Sequence, residues 1–180
     1  MLTMNLVKQY WNMLVKDHAC DPDHHRNIFN NHDNKIIGFN KKNNSEFLSN
    51  FYPSTIYFEG DLYPTVEHAY QASKSLNLDT RSLIKKAKSP YEAKKLGKSV
   101  ILYEGWHDLK VDTMRFLINE KFKNPFLRYM LLLTDGYNLI NENKWNDKFW
   151  GMTNGIGQNW LGKILEEVRS QIIAEDSSDV

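Results

Sequence analysis

Apolar residues recur along most of the chain at helical spacing, interrupted by a few short alternating runs. Over residues 3–19, Leu6, Tyr10, Met13 and Leu14 form one stripe, which predicts an amphipathic helix ended by Asp21-Pro22-Asp23. Lys35-Ile36-Ile37-Gly38-Phe39 reads as a short strand. Thr55 to Phe58, the turn Glu59-Gly60-Asp61 and then Leu62-Tyr63 predict a hairpin. Pro64 and Thr65 open a helix, Thr65 serving as its cap. Ser89-Pro90 opens another, running through Ala93 and Leu96 to Gly97 as its stop. Residues 106–122 predict a longer helix with Trp106, Lys110 and Met114 spaced by four and Leu109, Phe116 and Leu117 adding apolar surface. Asn124-Pro125 repeats the cap-plus-proline start, and Phe126 to Leu133 is apolar enough for a buried helix. Asn159 is placed to cap a final helix carrying Leu161, Ile164, Leu165, Val168 and Ile172. The fold class expected is therefore α+β, predominantly helical, with a few short strands. The layout is an N-terminal helical extension and polar loop over 1–34, a main domain over 35–173 and a frayed tail over 174–180.

The polar positions sharpen this picture at Tyr63 to Lys74. In a helix begun at Thr65, Glu67, Tyr70, Gln71 and Lys74 share one face, with His68 at its edge. Val66, Ala69 and Ser73 fall on another. Most such faces are simply solvated. Two features oppose that here: Tyr70 is costly to leave in water, and a second polar cluster is available to pair with this one. That cluster is Asn146-Asp147-Lys148-Phe149-Trp150-Gly151, followed by Gly155, Gly157, Asn159 and Gly162. A glycine-rich loop running into a helix start is a ready anion site, because backbone N–H groups and the helix dipole point the same way. A plain flexible loop explains the glycines equally well. No buried strand is predicted before the loop, which argues against a dinucleotide fold.

Composition narrows the function classes. A chain of 180 residues is large enough for one domain with its own core. With net charge +1 and acids and bases interspersed, there is no basic tail for nucleic acid, so a nucleotide would bind in a local pocket. Cys20 is the only cysteine, which excludes an internal disulfide and a cysteine-rich zinc site. His18, Cys20 and His24 match no established zinc spacing, so no metal is expected, and no cofactor either. Lys8, Gln9, Asn12 and Lys16 break the N-terminal stretch, and no run approaches the roughly 20 apolar residues that span a bilayer. A cytoplasmic protein without membrane partners is expected; its oligomeric state is left open.

Residues from about 36 to 172 resemble the NADAR superfamily, also called YbiA-like. The matching pieces begin with Leu48-Ser49-Asn50-Phe51 and Pro64 to Ala72 with Lys74. Ser89-Pro90 with Ala93 and Gly97 follows, then Trp106 with Lys110 and Met114, and Lys121-Phe122. Leu127-Arg128, Leu131-Leu132 and Thr134 continue the match, and Asp147 to Gly151 and Gly157 to Gly162 close it. Lys98 stands in place of an arginine, Ser75 in place of a phenylalanine, and the loop after Trp150 is about one residue short, with Thr153 near a usual glycine. The resemblance implies a mostly helical α+β domain and N-glycosidase activity. Its members act on phosphorylated ribosylamino-pyrimidine intermediates of riboflavin synthesis, on ADP-ribosylated guanine in nucleic acid, or on related ADP-ribosyl compounds.

Cleaving a C1′–N ribosyl bond passes through an oxocarbenium-like state, which needs negative charge near C1′ and a proton route to the base. Glu67 and Asp147 are the candidate carboxylates. Glu67 lies in a first helical turn that favours its ionised form, which suits a base or an electrostatic stabiliser. Asp147 suits the complementary acid or water-positioning part. Lys74 is the third catalytic candidate: it can form a Schiff base with ring-opened ribose, or simply an ion pair with Glu67. The residues expected to contact substrate are Asn50, Phe51, His68, Tyr70, Gln71, Trp106, Trp150, Gly151, Gly157 and Asn159. Among them the glycine loop and Asn159 would hold phosphate, and Trp106 or Trp150 would stack on a base. Glu67, Gln71, Lys74, Asp147, Trp150 and Asn159 are expected to converge on one cleft. A non-catalytic ADP-ribose-binding module is the alternative.

Overall fold

Thr65 starts the helix that fixes one half of the chain. In the computed structural model, which describes residues 36–39 and 45–178, its extended backbone (φ −151°) and its hydroxyl cap helix α1, Val66–Ala72, by accepting the His68 N–H. The predicted helix over 3–19 and the His18, Cys20 and His24 group lie outside the described residues. Six α-helices, one 3-10 turn (Glu46–Leu48) and four three-residue strands make up the described part, a mostly helical α+β fold. Contacts divide the chain into two units: residues 50–121, and residues up to 49 together with 122–180.

Within residues 50–121, strands β2 (Ile56–Phe58) and β3 (Asp61–Tyr63) form the predicted antiparallel hairpin. Glu59 (φ 47°) and Gly60 (φ 86°) are both left-handed, the geometry of a two-residue turn that follows strand twist. Helix α2 (Leu78–Lys85) is not marked by its apolar pattern; Asn77 caps it, and its Leu78 and Leu83 are exposed. Helix α3 (Pro90–Gly97) starts on Ser89 with Pro90 in its first turn, as the sequence predicts. Helix α4 (Trp106–Lys121) buries Trp106, Met114, Leu117 and Ile118 but leaves Leu109 and Phe116 about half exposed. α1 packs against the hairpin and against α2, α3 and α4, so every one of its residues is buried.

Lys121 ends α4 with only 1% of its surface exposed and its Nζ 5.8 Å from the Tyr52 ring centroid. Burial pulls its pKa down to about 7 from an ordinary 10.5. A lysine depressed in the folded state binds fewer protons than in the unfolded chain, so folding gains stability as pH rises from about 7 towards 10.5. Below that window the full cost of the buried charge is present. Wild-type melting temperature is therefore expected to rise relative to Lys121→Met by about 5 °C or more between pH 7 and 10. A difference that stays constant across that window would exclude a titrating Lys121.

In the other unit, β1 (Ile36–Gly38) pairs in parallel with β4 (Asn138–Ile140), with Ile37 opposite Leu139. Helix α5 (Pro125–Leu132) is capped by Asn124 and buries Leu127 and Tyr129 to Leu132. Helix α6 (Trp160–Ser178) lies along β4: Glu166 accepts the Leu139 N–H at 2.7 Å, and Asn159, just before the helix, donates to the Leu139 carbonyl at 2.8 Å. A Cβ on Gly162 would sit 2.0 Å from that carbonyl, so the helix–strand approach requires glycine there. Arg169 is buried and bonded through Nη1 to the Thr134 carbonyl and hydroxyl and to the Tyr137 carbonyl. The helix runs to Ser178, and Arg128 pairs with Glu175 and Asp176 near its end. Among the described residues no helix is long and apolar enough to cross a membrane.

Candidate active site

Glu67 is 5% exposed, in the first turn of a helix with no solvated face. Its backbone N–H, one of the four that a helix start leaves unpaired, donates to the Asn50 carbonyl at 3.0 Å. Its carboxylate accepts a hydrogen bond from Gln71 Nε2 at 2.8 Å, one helical turn on. A carboxylate so buried keeps its charge only with fixed donors and nearby cations around it.

Lys74, when protonated, is a cation that interacts with this carboxylate. It lies just beyond the helix cap Ser73, half-buried, with Nζ 5.5 Å from the Tyr70 ring centroid and 3.5 Å from the Gly97 carbonyl oxygen. Burial pushes its pKa below the ordinary lysine value; the Glu67 charge works against that shift and the Lys94 charge adds to it. The aromatic surround is continuous: Tyr70 lies 5.4 Å from Trp106, which lies 5.9 Å from Tyr103. Lys94 covers the partly exposed ring of Phe51 at 5.7 Å. Asn50 is buried with Nδ2 on the Met114 sulfur at 3.5 Å, and its Oδ1 has no hydrogen-bond partner among the described residues.

His68 is turned to a structural task. Its Nε2 meets the Ala87 carbonyl at 3.2 Å, which can only accept, so Nε2 carries the proton and Nδ1 takes the Thr65 hydroxyl at 2.8 Å. Burial lowers its pKa, in keeping with a neutral ring. Gln71 likewise faces Glu67 and Gly97 rather than open solvent.

Asp147, Trp150, Gly151, Gly157 and Asn159 belong to the other unit, where their local roles are clear. Asp147 Oδ1 accepts the N–H groups of Phe149 and Trp150 at 3.1 and 2.9 Å, tying down the turn, while its own N–H donates to Asn143. Trp150 is half-buried and edge-on to Phe149 at 4.9 Å. The anion site expected from the sequence needs free N–H groups where the glycine loop meets the helix. Instead the N–H groups of Gln158, Asn159, Trp160 and Leu161 donate to the carbonyls of Lys148, Gly151, Phe149 and Trp150. Gly151 and Gly157 allow backbone to approach backbone: a Cβ would sit 2.1 Å from the Asn141 carbonyl at the first and 2.2 Å from the Gly151 carbonyl at the second. Asn159, in a left-handed conformation (φ 53°), directs its amide to Asn141 and Leu139 instead of capping α6.

Two features escaped the sequence. Gly97 ends α3, as its reading as a helix stop predicts, but it also lies against Gln71, a contact that no spacing rule reveals. The proximity of Lys94 to Lys74 also depends on α3 packing on α1. Among the described residues no group of three or more His, Cys, Asp and Glu is placed to hold a metal.

A model of the NADAR domain matches residues 29–173. A riboflavin biosynthesis protein of Vibrio vulnificus is 35% identical over 141 residues, 76% of this chain but 38% of its own length, so this chain spans well under half of that relative. The N-glycosidase YbiA of Shigella flexneri is 37% identical over 132 residues, 71% of this chain and 82% of its own. The NMR structure of YbiA from E. coli superposes with a TM-score of 0.70 at 34% identity, covering 78% of this chain and 86% of that one. A family match of this extent, on a fold shared with YbiA, shows that the chain belongs to the NADAR domain family.

Proposed function

We propose that the protein is an N-glycosidase that hydrolyses the C1′–N bond of a ribosyl-phosphate or ADP-ribosyl compound. The observation that carries this reading is the buried Glu67 carboxylate, held by Gln71, with the charge-suppressed amine of Lys74 electrostatically coupled to it. Positive charge develops at C1′ as the bond to the base nitrogen breaks, and a carboxylate fixed in a dry setting stabilises it without reorganising. Lys74 is assigned the nucleophile's role: its neutral amine adds to C1′ of the ring-opened ribosyl imine, the base departs as an amine, and water then hydrolyses the lysine Schiff base. The net reaction is addition of water across the C1′–N bond. The exposed ring of Phe51 offers an aromatic face for a base, while the Tyr70 and Trp106 rings are buried against each other, and Asn50 Oδ1 is an acceptor with no partner among the described residues.

Relatives carrying the names N-glycosidase and riboflavin biosynthesis protein support this class and put a phosphorylated ribosylamino-pyrimidine first among substrates to test. ADP-ribosylated guanine in nucleic acid is the second. The protein is incubated with each, and free base is followed by mass spectrometry. Release from one of them is the expected result. Saturable binding of ADP-ribose with no base released from either would establish a binding module instead.

A further inference from the structure

We propose that Gly97 is a positioning residue for the reacting carboxylate: its bare Cα forms the seat in which Gln71 lies, and that seat sets the hydrogen bond Gln71 gives to Glu67. The inference rests on the reading of Glu67 as catalytic. Gly97 is the last residue of α3 and is absent from the positive-φ glycines, so no backbone conformation demands it. Glycine is also the poorer helix former, so by local preference alone alanine would serve better. Its space is what matters. A Cβ at this position would lie 1.9 Å from Gln71 Oε1, 2.7 Å from Cδ and 2.8 Å from Cβ. Turning the amide alone does not relieve this, because the Gln71 Cβ is fixed to the backbone of α1.

The orientation of Gln71 follows from chemistry. Glu67 as a carboxylate can only accept, so Nε2 must face it and Oε1 must face away, towards Gly97. Oε1 is buried there without a hydrogen-bond partner among the described residues. The amide is therefore held on that side by shape, and shape is what a methyl group would remove. The same glycine presents its carbonyl oxygen to Lys74 Nζ at 3.5 Å. One residue of α3 thus touches the supports of both the acid and the amine.

The test uses four full-length proteins, wild type, Gly97→Ala, Gln71→Ala and the double variant, with Glu67→Gln as reference. Turnover, its pH profile and melting temperature are measured on each. Gly97→Ala is expected to lower kcat about tenfold or more with little change in KM. It should also move the acid limb of the pH profile upward, because the ionised carboxylate loses a donor. Gln71→Ala should do the same, and the double variant should be no slower than Gln71→Ala alone. In melting temperature Gly97→Ala should destabilise less once residue 71 is alanine, since the contacts with Oε1 and Cδ are then gone and only the Cβ contact at 2.8 Å is left. Rate losses that multiply in the double variant, or a Gly97→Ala protein with wild-type kcat and pH profile, would overturn the seat. Full turnover in Glu67→Gln would instead overturn the catalytic reading and this role with it.

Discussion

Glu67→Gln is expected to lower kcat by about a hundredfold or more, the loss typical of removing one electrostatic stabiliser from a transition state. The substitution keeps the side chain's length, and the amide oxygen it introduces could still accept from Gln71 Nε2, which donates to Glu67 at 2.8 Å in the wild type. What disappears is the negative charge. Substrate affinity should change far less, because the bound substrate carries little positive charge at C1′. Melting temperature should hold or rise slightly, since a carboxylate only 5% exposed is a costly group to desolvate. If Glu67 serves only as a structural partner of Lys74, the pattern inverts: stability falls by about 1 kcal/mol or more, because a half-buried ammonium loses its partner, and kcat is untouched. Measuring kcat, ligand affinity and melting temperature on this one variant separates the two.

How much of this was legible in the sequence depends on the range of the interaction involved. Capping is local chemistry, so Thr65, Ser89 and Asn124 announced three helices correctly, the last two with a following proline. The hairpin was equally readable from its Glu59-Gly60 turn. Helix α2 was missed because its outward Leu78 and Leu83 blur the apolar stripe, leaving Ile84 as its one buried residue. Strand β4 was missed because three residues give no period, and its parallel partner lies about a hundred positions earlier. The chemistry followed the same rule. Helical spacing brought Glu67, Tyr70 and Gln71 together correctly, but it could not show that α1 is buried on every side. Asn159 and the glycines of its loop were read as ligand-binding because their local signature suits an anion. Their tertiary partners, Leu139, Asn141 and the loop's own carbonyls, account for them in another way.

Lys74→Arg is the second substitution expected to have a large effect, and it bears on whether the amine reacts or merely attracts. The shift of Lys74 is downward, caused first by burial and reinforced by Lys94, with Glu67 opposing it. A larger share of neutral amine is therefore present near neutral pH than for a lysine in water. The rise of turnover with pH should level off below the ordinary lysine value of 10.5. Arginine keeps the positive charge and much of the reach but does not deprotonate in a protein, so it cannot add to C1′. Turnover is expected to fall at least about a hundredfold in Lys74→Arg. In the wild type, borohydride added during turnover should reduce the Schiff base to a secondary amine, fixing the ribosyl moiety to Lys74, where peptide mass mapping would find it. Should Lys74 act only as a cation, Lys74→Arg would keep most of its kcat and no adduct would form in either protein. Catalysis would then rest on the Glu67 carboxylate, with Lys74 holding substrate charge beside it.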